Sequence, residues 1–246
     1  MASAGLLSTA MLSSPAVADQ TAQAPATAQG NSKRNANASR LVGTWVLTDN
    51  DNVPFNLILR SDGTSLTVIG KRHPDVDGPK RMTRNQLVEQ GRWRPWGNGI
   101  RSDYGDGWTD TIQVGPAGPV QWSWKPGASL EAAPTNHGKA VRMTSPVMAW
   151  VGAYKLEPTQ PEKPPYVAVL TSSGLAFNNI DRIAEGSWSL RADGSVMIKW
   201  TSGWRTAIEA NGGGAPALDQ AFTVQHWRPG VSVNDPASAR RSGRRL

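Results

Sequence analysis

A chain of 246 residues with 25 Gly, 18 Pro and no Cys is too rich in turn formers for a helix-dominated fold, and it excludes disulfides, thiolate metal sites and cysteine nucleophiles. Its formal charge of +7 sits at the ends: Lys33, Arg34 and Arg40 against Asp19 make residues 1–40 net +2, Arg240, Arg241, Arg244 and Arg245 add +4, and +1 remains for everything between. A nearly neutral centre lacks the clustered basic face that nucleic-acid phosphates require.

In chain order, Leu6, Leu7, Met11 and Leu12 lie in a run of apolar and small residues that ends Ala16-Val17-Ala18 before Asp19. That small-x-small ending is the form of a signal-peptidase site, so residues 1–18 are expected to be a signal peptide and the mature protein periplasmic or secreted. Residues 19–40, built from Ala, Gln, Thr, Asn, Ser and Pro, offer too little apolar surface to offset the entropy of ordering and are expected to form a disordered leader. No later apolar run reaches the roughly 20 residues that span a bilayer, so no transmembrane segment is expected.

From residue 41 the sequence alternates with period two, as in Phe55, Leu57, Leu59; Ile112, Val114; and Val120, Trp122, Trp124. Half-buried antiparallel strands give this pattern. Ser61-Asp62-Gly63, Asn98-Gly99 and Asp106-Gly107 supply tight turns between them. Residues 41–130 therefore read as a first β repeat and 131–149 as a linker. Residues 150–230 then restate the first repeat in order. Leu41-Val42-Gly43-Thr44-Trp45 is answered by Trp150-Val151-Gly152-Ala153-Tyr154, Gly91-Arg92-Trp93 by Gly186-Ser187-Trp188, Gly107-Trp108 by Gly203-Trp204, and Trp124-Lys125-Pro126-Gly127 by Trp227-Arg228-Pro229-Gly230. Conserved order with drifting offsets is the mark of duplication. Residues 231–246 are expected to be a basic disordered tail able to dock on an acidic protein partner. The fold expectation is all-β: two diverged antiparallel meanders of about five strands each, packed as small barrels or as one shared calycin-like barrel.

The order Gly-x-Trp, strand, Ser-Asp-Gly turn, Gly-x-Trp and Asp-Gly-Trp-Thr-Asp-Thr-Ile, as in residues 43–45, 61–63, 91–93 and 106–112, resembles small repeat modules of exported bacterial proteins. Gly43-Thr44-Trp45 also looks like the opening strand of lipocalin-like barrels. Trp93-Arg94-Pro95 with Asn98-Gly99-Ile100 is similar to a segment of the bacterial metalloprotease inhibitors, compact calycin-like barrels with an inhibitory N-terminal arm. These resemblances imply export and a barrel, and the last implies a secreted protease inhibitor acting through the arm around residues 19–40.

Duplication also sorts the 11 Trp residues. Trp93 matches Trp188, Trp108 matches Trp204, Trp124 matches Trp227, Trp45 matches Tyr154 and Trp200 matches Tyr104, so these aromatic positions belong to the core that both copies need. Trp150 replaces Leu41 as apolar packing. Trp96 and Trp122 have no aromatic counterpart, and with Arg94 and Asn98 they are the expected ligand-binding residues, since flat indoles beside polar groups stack on sugar rings or hold amphipathic ligands.

No catalytic set is apparent. His73, His137 and His226 lack ligand spacing, no Gly-x-Ser-x-Gly elbow is present, and Gly97-Asn98-Gly99 lacks the strand-to-helix setting of a phosphate cradle. Asp103, Asp106 and Asp110 would suit a carboxylate pair or a Ca²⁺ site, but their counterparts Lys199, Ser202 and Thr206 mark them as turn and surface acids. Neither a cofactor nor a metal is expected. The function expected is an exported non-enzymatic binding module for a glycan or small amphipathic ligand, with protease inhibition or a structural role in the cell envelope as alternatives.

Overall fold

The computed structural model describes residues 40–50, 54–68, 87–180, 184–210, 212 and 214–246. The expected signal peptide and, except for Arg40, the expected leader lie outside the described residues, as does His73.

The chain forms two closed antiparallel barrels of eight strands each. The first is built from β1 (Gly43–Thr48), β2 (Pro54–Leu59), β3 (Thr64–Val68), β4 (Val88–Trp96), β5 (Gly99–Tyr104), β6 (Thr109–Gly115), β7 (Gly118–Trp124) and β8 (Asn136–Arg142), with β8 pairing back to β1. A 3-10 turn over Pro146–Trp150 leads to the second: β9 (Gly152–Leu156), β10 (Tyr166–Leu170), β11 (Leu175–Asn178), β12 (Ala184–Leu190), β13 (Val196–Trp200), β14 (Arg205–Glu209), β15 (Ala221–Trp227) and β16 (Ala239–Arg245), with β16 closing on β9. Each strand pairs with its sequence neighbours, as short connections dictate, and closure leaves no free edge.

Eight strands per copy replace the five expected, and two boundaries move. β8 lies within the segment read as a linker, and β16 within the segment read as a basic disordered tail. Both escape the period-two test because their inward positions carry little apolar bulk. In β8 these are Asn136, Gly138 and Ala140; in β16 they are Ala239, Arg241, Gly243 and Arg245. Arg245 plugs the barrel end: its guanidinium donates to the Val151 and Pro216 carbonyls at 3.0 and 3.1 Å and lies over the Tyr154 ring. Arg241 donates to the Pro158 and Thr159 carbonyls. Arg142, at the position of Arg245, donates to the Val42 carbonyl at 2.7 Å.

The duplication is visible bond by bond. Trp45 Nε1 donates to the carbonyl four residues upstream, at Leu41, and the Tyr154 hydroxyl does the same to Trp150. Trp93 Nε1 donates to Arg60 O and Trp188 Nε1 to Thr171 O, each tying the fourth strand of a barrel to the turn between its second and third strands. A Cβ on Gly91 would meet the Tyr104 ring at 2.7 Å, and one on Gly186 the Trp200 ring at 2.9 Å. Glycine is required at both positions because the next strand's backbone oxygen, Asp103 O or Lys199 O, would stand 2.6 Å from a Cβ, with the aromatic ring close behind it.

Interior packing in the first barrel is led by Trp45, Leu47, Phe55, Leu57, Leu59, Ile100 and Ile112. A separate apolar cluster joins the barrels, with Ile58, Leu66, Val68 and Leu87 from the first packed on Ala153, Val169 and Phe177 from the second. Strands buried on both faces lose the alternating pattern, which explains the unbroken Leu57-Ile58-Leu59 and Val167-Ala168-Val169-Leu170. The same junction carries a polar lock: Asn56 Nδ2 donates to Ser172 Oγ at 2.8 Å and Ser172 N returns a bond to Asn56 Oδ1 at 3.1 Å.

Candidate functional site

The outward face of the first barrel gathers most of the residues picked from the sequence. Strand register aligns Arg94, Arg101, Thr111, Trp122 and His137 in one row across five strands, with Arg92, Asp103, Thr109 and Trp124 in the next. Trp122 stands edge-on to Trp124, ring centroids 6.3 Å apart at 86°, and Trp96 reaches the same Trp124 at 6.4 Å and 81°. Trp96 and Trp122 remain half-exposed while Trp124 is buried. Two indoles 26 residues apart thus share one aromatic base.

The loop after β7 fixes that base. Trp124 Nε1 donates to Ala132 O at 3.0 Å, and Lys125 N is held by Thr135 Oγ1 at 3.1 Å. The second barrel repeats this latch, with Trp227 Nε1 on Asp235 O and Arg228 N on Ser238 Oγ, but finishes the surface differently. There Trp227 packs with Met197 and Ala207 under Val231, Val233 and Ala237. The positions of Met197, Ala207 and Gln225 in the second barrel are taken in the first by Arg101, Thr111 and Trp122. A small closed apolar patch in one barrel is therefore an aromatic, guanidinium-flanked surface in the other.

Arg94 is 62% exposed, with Asp103 Oδ2 3.9 Å away, while Arg101 makes the tight pair to Asp103 at 2.7 Å. Arg94 thus has a guanidinium to offer beside the indoles. Asn98 Nδ2 donates to the Val114 carbonyl and fastens the β4–β5 turn to β6, while the side chain itself stays exposed. Thr111 is fully covered beneath this surface, and its hydroxyl has no hydrogen-bond partner.

No family model, no curated protein and no solved structure matches this chain.

The acids of the first repeat do not form a cluster. Asp106 accepts from Trp108 N in an exposed turn, and Asp103 is the surface partner of Arg101. Asp110, expected at the surface, is instead wholly buried inside the barrel. There Ser123 donates to its Oδ1 at 2.7 Å and Gln121 Nε2 donates to Ser123 Oγ. Ser65 and Ser102 share a hydrogen bond at 2.5 Å, and the Tyr104 phenol faces Ser102 and Asp110. Burial, reinforced by the Asp110 charge, pushes the Tyr104 hydroxyl well above the usual tyrosine range. Sequence reasoning missed this set because its members are spread over four strands. The inward register of Ser102, Asp110 and Ser123 with Tyr104 was its one available signal.

In the second barrel the matching interior carries a complete chain. Trp200 Nε1 donates to Thr206 Oγ1 at 2.9 Å, Thr206 meets His226 Nδ1 at 3.1 Å, and His226 Nε2 faces Glu157 O at 3.4 Å. With Nε2–H directed at a carbonyl, Nδ1 accepts from the Thr206 hydroxyl and the ring is neutral. Burial lowers its pKa to about 4; the bond to Glu157 O opposes this and the Arg241 charge adds to it. His137 lies on the outside of the other barrel, so the two described histidines have no shared site. Among the described residues no three His, Asp or Glu side chains are grouped as metal ligands, and no helix is long and apolar enough to cross a membrane.

Proposed function

We propose that the protein is an exported, non-enzymatic binding module whose ligand, a glycan or another small amphipathic molecule, lies against Trp96 and Trp122 with Arg94 at its edge. One observation carries the reading: both unmatched indoles stand half-exposed on the same buried Trp124, where the second barrel closes the equivalent surface with aliphatic side chains. A fold that needed those indoles for stability would have kept them in both copies. Asn98 stays in the ligand set: one amide N–H fastens the turn to the Val114 carbonyl, and the exposed side chain keeps its second N–H and its carbonyl oxygen for the ligand. Export is supported by the Ala16-Val17-Ala18 ending, and closed eight-stranded meanders support the calycin-like resemblance.

A sugar ring on an indole gains from burying C–H faces while its hydroxyls stay hydrated or meet a guanidinium, and each aromatic contact is worth about 0.5–1.5 kcal/mol. Glycan-array binding with Trp fluorescence quenching tests the proposal. Saturable quenching that weakens about tenfold or more in the Trp96→Ala, Trp122→Ala double variant supports it, and unchanged binding by a folded double variant removes the site.

A further inference from the structure

The interior of the first barrel holds polar groups that the second barrel shows to be unnecessary for the fold. Near the start of β3 and β6 and the later halves of β5 and β7, Ser65, Ser102, Tyr104, Asp110, Gln121 and Ser123 lie on the inward face of the barrel, none more than 6% exposed. Register places Ala176, Ile198, Trp200, Thr206, Val224 and His226 at the same positions of the second barrel. The second barrel thus closes with apolar side chains and a single satisfied hydrogen-bond chain. In the first, the bulkier Ile198, Trp200 and His226 give way to Ser102, Tyr104 and Ser123, so less side-chain volume fills this part of the interior.

The proton bookkeeping in that interior leaves an acceptor over. Ser123 has one hydroxyl proton and gives it to Asp110, a carboxylate that only accepts. Ser123 must therefore receive from Gln121, which sets the amide with its nitrogen toward Ser123. Gln121 Oε1 is then directed into the barrel, fully buried and without any hydrogen-bond partner. An unpaired buried amide oxygen is destabilising, and the valine at this position in the second barrel shows that a hydrophobic residue fits the same scaffold. The retained Gln121 oxygen calls for a hydrogen-bond donor, and the Asp110 side chain beside it, already faced by Ser123 and the Tyr104 phenol, favours a donor that carries positive charge.

We propose that the part of the first barrel's interior lined by Asp110 and Gln121 is a second binding site, independent of the Trp96–Trp122 surface, for a small ligand bearing a primary ammonium group. The ammonium would place one N–H on the Asp110 carboxylate and another on Gln121 Oε1, with its third toward the Ser65–Ser102 pair. Compact ammonium ligands suit an enclosed barrel interior better than a broad planar cation does.

Titration of the full chain with methylammonium, followed by calorimetry and by the amide resonances of β5–β7, tests the site, with tetramethylammonium as a cation that has no N–H to donate. Saturable binding of methylammonium and none of tetramethylammonium is expected. Gln121→Val, which copies the second barrel, should fold, melt higher in the absence of ligand and bind methylammonium at least tenfold more weakly; Asp110→Asn should also lose binding. Equal binding of the two cations overturns the proposal, as does methylammonium affinity unchanged by Gln121→Val. If Gln121→Val lowers the melting temperature and methylammonium does not bind, the network is a water-filled structural element and the site is refuted.

Discussion

An indole buried on the outer face of a strand needs both a cover and an acceptor for its N–H, and Trp124 obtains them from the loop that follows β7, as Trp227 does from the loop that follows β15. Truncation of Trp124 removes packing and the latch together, so Trp124→Ala should cost about 3–5 kcal/mol in denaturant unfolding. Trp122→Ala, at a half-exposed ring, should cost under about 1.5 kcal/mol. The contrast separates the buried aromatic base from the half-exposed rings proposed to meet the ligand. Both unmatched rings stood out in the sequence because duplication supplies an internal control, and Trp124, matched by Trp227, was read as packing, which its burial bears out; that it also carries both unmatched rings was not legible. Asp110 was misread for the related reason that burial is not written in residue type. At His226 the consequence is a pH dependence. Above about pH 6.5 the ring is neutral in folded and unfolded chains alike and contributes nothing through protonation. Between about pH 6.5 and 4 the unfolded chain takes up a proton that the folded barrel resists, so stability should fall by about 3 kcal/mol across that window and level off below it. Urea midpoints at pH 7 and pH 4.5 measure the loss, and His226→Gln should shrink it.

At the scale of elements, the strands missed in the sequence are those that break the simple pattern. β3 turns Ser65 into the barrel and Leu66 and Val68 toward the neighbouring barrel, the reverse of the usual apolar interior. β16 reads Ala-Arg-Arg-Ser-Gly-Arg-Arg, a composition expected of a solvated tail, yet it pairs with β15 over six residues and with β9 over three. Strand identity here comes from closure of the barrel, a tertiary effect that period-two reading does not register. The arginines then divide by direction. Arg245→Ala opens one barrel end and should destabilise by about 1–3 kcal/mol, because three buried or half-buried partners lose their donor, whereas Arg244→Ala, on the exposed side, should stay within about 0.5 kcal/mol. Thermal melts of the two variants side by side test the assignment of β16 directly. A strand of this kind also changes what a basic C-terminal segment offers a partner: Arg240 and Arg244 point outward, while Arg241 and Arg245 are already engaged.

For the whole molecule, the duplication yields two barrels joined through β2 and β3 on one side and β9, β10 and β11 on the other, with Asn56 and Ser172 locking the edge. Phe177→Asp places a charge in that apolar junction without touching either barrel interior. It should split a single cooperative unfolding transition into two, read by calorimetry. That there were two copies was plain in the sequence, whereas their separate closure was not, because periodicity describes a strand's faces and leaves open which neighbour each face meets. The two barrels have also diverged on their outer faces. One packs its outer latch with Val231, Val233 and Ala237, and the other exposes Trp96 and Trp122 beside Arg94. The most direct test of that asymmetry is an indole N–H spectrum of the protein, with its 11 Trp residues, during titration with a β-linked hexasaccharide such as cellohexaose. The binding-module account predicts that the resonances of Trp96 and Trp122 shift first and saturate together, with Trp124 following and Trp188, Trp200 and Trp227 unmoved. Saturating shifts confined to the second barrel's indoles would contradict it.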